Sequence, residues 1–446
     1  MDPKYVIALE IGSSKIRAAL GTIDNNGTIS IKAVEEEPLI DSVCYGRVRN
    51  VMQVTEKIRN IISRLQNREP SRNITGVYLA LGGRSMRSST INVQHILPYE
   101  SEILQSHIDD LTRRAAKTNL PDRDVISVLP REYNIDRQKT NNPVGTFGRE
   151  IDADYTLVSA NTNLKKMLKH VFEGLSFKVH SYIVRPLAEA DLVLSSDEKR
   201  AGCMLVDFGA ETTTAAIYKD GNLVYLNTLP LGSRNITRDI MSVCHLEERA
   251  EERKISIGNA NVRNSVLAPD ANVDKETTEI NNLIGARTGE IIANILEQIN
   301  YAGLTQADLP SGIVVVGGGA RLQGFIERIN AATQLPVRLG LPAGDQIRIT
   351  DNRIRPSEAI DVISVLVAAA PNAISCMEML EQKPLDFEKE MPAAPEPVEE
   401  EPVEEGIDED VTIPTISNFK IKFNNLRSRI VRLISENEED EEDDNI

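Results

Sequence analysis

Tryptophan is absent from this 446-residue chain, and aromatic residues make up only 4% of it. Its core therefore has to rest mainly on isoleucine, valine, leucine and alanine. Four cysteines (Cys44, Cys203, Cys244 and Cys376) show neither pairing nor metal-ligand spacing. A disulfide scaffold is excluded, and the thiols read as reduced, as in a cytosolic protein. Long apolar runs are missing too. The most apolar stretch, 362–370, is nine residues long, against the roughly 20 that span a bilayer. No secretory signal is expected, because Met1-Asp2-Pro3-Lys4 leads straight into a strand.

A balanced charge is also lacking: the net charge is −17. The imbalance is local. Residues 384–412 carry −11, 413–435 carry +5 and 436–446 carry −8, leaving −3 on residues 1–383. The body is nearly neutral, so its bulk acidity says nothing about a substrate, and no nucleic-acid partner is expected.

What the chain does have is length for two to four domain-sized units and one pattern that occurs twice. Val6-Ile7-Ala8-Leu9-Glu10-Ile11-Gly12-Ser13-Ser14-Lys15 continues into Ile16–Leu20, and Met204-Leu205-Val206-Asp207-Phe208-Gly209-Ala210-Glu211-Thr212-Thr213 continues into Thr214–Ile217. The two align without a gap at an offset of 197. Each predicts strand, tight turn, strand. Two such turns can grip a polyphosphate through backbone N–H groups and hydroxyls. Gly12, Ser13, Ser14 and Lys15 would act on one side, and Gly209, Ala210, Glu211, Thr212 and Thr213 on the other. Glu10 and Asp207, at matching strand ends, are candidates to hold Mg2+ through its water shell.

The rest of the body alternates strands and helices, an α/β pattern. A helix is expected near Val54–Gln66 and a strand at Val77–Leu81 ending in Gly82-Gly83. Between the hairpins the texture changes from Arg84 to about Lys166, with a strand at Val125–Leu129, a turn at Pro130-Arg131-Glu132-Tyr133 and a loop at Asn142-Pro143-Val144-Gly145. Asn259–Asn282 reads as a polar loop. Gly312–Ala320 reads as a buried strand running into Gly317-Gly318-Gly319, where backbone can lie flat against a purine. In the helical region from Leu246, Glu251 and Lys254 share a face at i, i+3 and could reach a ribose.

Two phosphate hairpins, a late glycine turn and an E-x-x-K helix resemble the actin-like ATPase superfamily. The inserted stretch Val128–Asp136 with Asn142–Gly145 resembles the 1C subdomain of its FtsA branch, a family of bacterial cell-division proteins. The resemblance implies an α/β, actin-like fold of ribonuclease H-like duplicated domains, with the FtsA-type insert. It places subdomain 1A at 1–83 and 167–200, 1C at 84–166, 2A at 201–235 and 310–380, and 2B at 236–309. A disordered acidic linker follows at 381–414, then an amphipathic membrane-targeting helix at 415–435 and an acidic tail at 436–446. It implies ATP and Mg2+ as cofactors, with Gly317–Gly319 and Arg321 among the nucleotide contacts. It also implies FtsZ, other division proteins and further copies of the chain as partners, at the cytoplasmic face of the membrane. The chain departs from the superfamily at two points. Glu10 stands where Asp is frequent. Arg185, before Pro186, stands where a water-activating Glu or Gln is usual, and arginine cannot serve as a base. Glu189, one turn on, is the substitute catalytic candidate, and hydrolysis is expected to be slow. An actin-fold sugar kinase or another actin-like assembly protein is the alternative.

In the tail, Phe419, Phe423, Leu426, Ile430 and Leu433 form one helical stripe. Lys420, Lys422, Arg427, Arg429 and Arg432 lie off it, the profile of a helix resting on an anionic membrane.

Overall fold

The computed structural model describes residues 3–261, 275–342 and 347–380. The expected linker, membrane helix and acidic tail lie outside the described residues. Among these residues no helix is long and apolar enough to cross a membrane.

Strands Lys4–Ile11 and Lys15–Ile23 are apolar almost throughout and pair antiparallel, with Glu10 opposite Arg17. Cys203–Phe208 and Thr213–Lys219 repeat that pairing, with Asp207 opposite Thr214, the same register at the same offset. The repetition runs further than the hairpins. Ile29–Pro38 and Asn222–Leu229 add a third, antiparallel strand to each copy. Gly76–Leu81 and Ile313–Val316 lie parallel to the first strands, and Lys178–Val184 and Val337–Leu339 lie parallel beyond those. Both sheets thus run third, second, first, fourth, fifth. The two first strands are buried on both faces, as expected where helices cover a sheet on each side.

Helices supply those covers. Val51–Gln66 is capped by Asn50, whose side chain accepts the Gln53 N–H, and buries Val54, Ile58, Ile61, Ile62 and Leu65 along one stripe. Lys275–Tyr301 buries Ile280, Ile284, Ile291, Ile295 and Ile299 against the second core. Aliphatic side chains dominate both cores, as the scarcity of aromatics requires; Phe208 and Phe325, stacked at 4.6 Å, are exceptions.

Three sequence expectations are corrected. Pro130 does not make a turn: Arg123–Ile135 is one long strand of the insert, and Pro130 lies opposite Tyr155 where the register shifts. A bulge tolerates a residue without an N–H. The polar segment 259–282 is not a loop to its end, because helix starts at Lys275. Finally, residues 347–380 do not stay with the second half. Ile347–Ile349 pairs with Ile29–Ile31, Met377–Met379 pairs with Arg72–Ile74, and helix Ile360–Ala369 packs on Arg185–Val193 and Lys4–Ile11. The insert strands Arg87–Glu102, Arg123–Ile135, Gln138–Thr140 and Phe147–Asn161 extend the second sheet through one residue pair, Asn227 with Arg87.

Candidate functional site

Both hairpin turns line one cleft of about 730 Å³, within the usual size range of small-molecule sites. Every candidate site residue of the body lines it except Thr213. Thr213 is fully buried, and its hydroxyl donates to the Leu231 carbonyl at 2.7 Å, so it is a strut of the hairpin.

The turns close identically. The Gly12 N–H donates to Lys15 O at 3.0 Å, and the Gly209 N–H to Thr212 O at 2.9 Å. Their side chains differ. Lys15 pairs with Glu36 at 2.9 Å, both partly exposed. Such a pair is worth about 1 kcal/mol or less, so Lys15 is easily redirected to a phosphate. Glu211 is buried and fully engaged. It accepts the Tyr45 N–H at 2.6 Å and pairs with Arg234 at 3.2 Å and Arg238 at 3.1 Å. Its carboxylate is therefore a latch between the second turn and the segment around Tyr45, and only its peptide is left to meet a ligand.

At the floor, Glu10 and Asp207 stand on neighbouring sides of the Arg185 guanidinium, with Asp207 Oδ2 2.5 Å away and Glu10 Oε1 3.6 Å away. Arg185 opens helix Arg185–Val193 with Pro186 behind it. Burial pushes the Glu10 carboxyl up to about 7, with Arg185 opposing the shift. Burial also raises Asp207 and lifts Glu189 well above the carboxylate range. Burial opposes the charge of Arg185, but Asp207, Glu189 and Glu10 outweigh it and strengthen its hold on its proton. Asp207 Oδ1 and Glu189 Oε2 are buried without a hydrogen-bond partner.

On the far wall, Lys254 Nζ lies 2.7 Å from Glu251 Oε2 and 2.9 Å from Thr237 Oγ1. Lys254 is buried and Glu251 half-exposed; burial lowers the lysine's pKa. Gly317, also on the cleft, has φ +90°, and a Cβ there would sit 2.5 Å from Phe208 O, so only glycine fits this backbone. Arg321 reaches the cleft and pairs with Glu358 at 2.6 Å.

Sequence reading missed Gly46, Gly82, Gly83, Arg234 and Asp361 as cleft residues. For two of them a signal existed. Gly76–Gly83 and Gly312–Gly319 are both apolar strands running into paired glycines, and they are the fourth strands of the two copies.

The residues present fit a magnesium nucleotide. An unpartnered Asp207 oxygen and the Glu10 carboxyl sit beside two glycine-rich turns. Among the described residues no cluster of three His, Cys, Asp or Glu could hold a metal directly.

The fold is that of the actin-like ATPases. A solved PilM–PilN type IV pilus biogenesis complex superposes with a TM-score of 0.59 at 16% identity, over 82% of this chain and 99% of that one. A family model described as Cell division protein FtsA matches residues 204–360, and one described as the SHS2 domain inserted in FtsA matches 83–159. The Cell division protein FtsA of Porphyromonas gingivalis is 31% identical over 73% of this chain and 70% of its own length. That of Neisseria meningitidis is 26% identical over 82% and 90%. The chain belongs to the FtsA family of cell-division proteins.

Proposed function

We propose that the cleft binds ATP with Mg2+ and that this cell-division protein uses the nucleotide as an assembly ligand. Gly12–Lys15 and Gly209–Thr212 hold the phosphates, Glu10 and Asp207 orient the cation's water shell, Glu251 and Lys254 take the ribose, and Gly317–Gly319 with Arg321 lie against the base. The bound cation would supply charge neutralisation at the phosphates. The observation that carries the reading is the convergence of both turns and the E-x-x-K pair on one cleft. Hydrolysis is slow on this reading. Arg185 cannot accept a proton, and burial raises the Glu189 carboxyl, which disfavours the charged form that a general base needs. Turnover stays well below the roughly 10 per second of an ordinary enzyme.

In this role the chain self-assembles into actin-like filaments and tethers FtsZ filaments to the cytoplasmic face of the membrane. Its basic segment 415–435 makes the lipid contact, each base contributing about 1 kcal/mol near an anionic surface. The test is co-sedimentation of the full chain with anionic liposomes and FtsZ, with and without ATP. ATP-dependent recovery of FtsZ with the vesicles is expected. FtsZ left in the supernatant sinks the tether. Phe423→Asp is expected to abolish lipid binding, and removal of residues 436–446 to strengthen it.

A further inference from the structure

Arg185 touches three acids that come from three places. Asp207 Oδ2 belongs to the second hairpin, Glu10 Oε1 to the first, and Glu189 Oε1, at 3.8 Å, to the helix that carries Arg185. The side chain is 13% exposed. Gly82 makes room for it: a Cβ there would lie 3.3 Å from Arg185 Nε. The neighbouring Asp361 is matched by Arg17 at 2.9 Å. Three buried acids thus share one guanidinium, so the cluster holds more acid than fixed positive charge to match it. Asp207 Oδ1 and Glu189 Oε2 point to the same need, being buried and unpartnered.

The acids suited to Mg2+ are thus already bridged by a cation fixed to the chain. A guanidinium and a metal ion at ion-pair distance in a buried site repel strongly. Releasing the guanidinium with nothing in exchange strands buried carboxylates. We propose that Arg185 is a tethered counter-ion that bridges Glu10 and Asp207 while the cleft is empty and shuts free Mg2+ out of it. Metal then enters only together with a nucleotide, whose phosphates give the guanidinium a new partner. Arg185 acts here as a positioning residue, and the proposal rests on the cleft being a magnesium nucleotide site.

The test is thermal unfolding of the full chain without nucleotide, in EDTA and across a Mg2+ titration. The unaltered chain is expected to keep the same Tm throughout. Arg185→Gln is expected to melt lower in EDTA. It should then rise by about 2 °C once Mg2+ reaches ten times its dissociation constant, and Arg185→Lys should stay unresponsive. The double variant Arg185→Gln/Glu189→Gln removes one buried acid and is expected to show the same rise, which covers poor folding of the single variant. A Mg2+ response in the unaltered chain equal to that of the variants, or none in either Gln variant, overturns the proposal. Binding of a fluorescent ATP analogue in Mg2+ by the unaltered chain is measured in parallel. Its failure would remove the nucleotide reading, while the melting curves would still decide what Arg185 does.

Discussion

The two hairpins share a backbone and differ in how their turns are held. Register, turn hydrogen bond and the acid two residues before the glycine are the same in both. The first turn carries a lysine on a partly exposed ion pair. The second is pinned by a buried glutamate with two arginines and a backbone N–H from the other half. Repetition kept the backbone geometry of the turn, and the side chains divided the remaining tasks. One turn is equipped to reach a ligand, and the other fastens the two halves beside it.

The sharpest way to break this contrast is Glu211→Ala. It strips Arg234 and Arg238 of a buried partner; Arg234 keeps Glu247 at 3.1 Å and Arg238 is 39% exposed, so the cost falls at the low end of that for a buried pair, about 3 kcal/mol. A drop in chemical-denaturation stability of that order is expected. A loss under about 1 kcal/mol would show that the latch does not hold the halves. Gly317→Ala comes next. It forces a Cβ onto Phe208 O at a backbone angle that L-residues avoid, at a cost of about 1–3 kcal/mol, and weaker ATP binding should accompany it in a titration. Lys15→Ala, in the first turn, should change stability by less than about 1 kcal/mol yet weaken ATP binding about tenfold, the worth of one charge-assisted hydrogen bond. Equal effects of Lys15→Ala and Glu211→Ala on stability would erase the division of labour.

Much of this was legible in the chain because its signals are local. An apolar run, an acid and a glycine turn specify a hairpin wherever they occur, and doubling them specified the cleft. The i, i+3 spacing of Glu251 and Lys254 placed them on one helix face, and the structure puts them 2.7 Å apart. What escaped is what depends on distant partners. Ile347–Ile349 looks like any short strand, and nothing in it says that it pairs with Ile29–Ile31. Pro130 is a turn signal locally and a bulge residue once Tyr155 lies opposite. The Arg185 cluster draws on residues 10, 185, 189 and 207, so no window of sequence contains it. The engagement of Glu211 was hidden in the same way, since its partners lie at Tyr45, Arg234 and Arg238.

The direction of the pH response separates the two acids. Folding raises the Glu10 carboxyl from its ordinary value of 4.5 to about 7. Between those values the native state holds a proton that the unfolded chain has released, so stability falls as pH rises through that window and levels off above it. Glu10→Gln removes this dependence. Measured without nucleotide in EDTA, the variant should gain on the unaltered chain from pH 5 to pH 7.5, with the gain complete near pH 7.5. Asp207 also titrates higher than usual, but its carboxylate carries the 2.5 Å contact to Arg185. Asp207→Asn should therefore lose stability near neutral pH, where Glu10→Gln gains it. If both substitutions moved stability in the same direction at pH 7.5, the acids of the two copies would be equivalent and the asymmetry would stop at the turns.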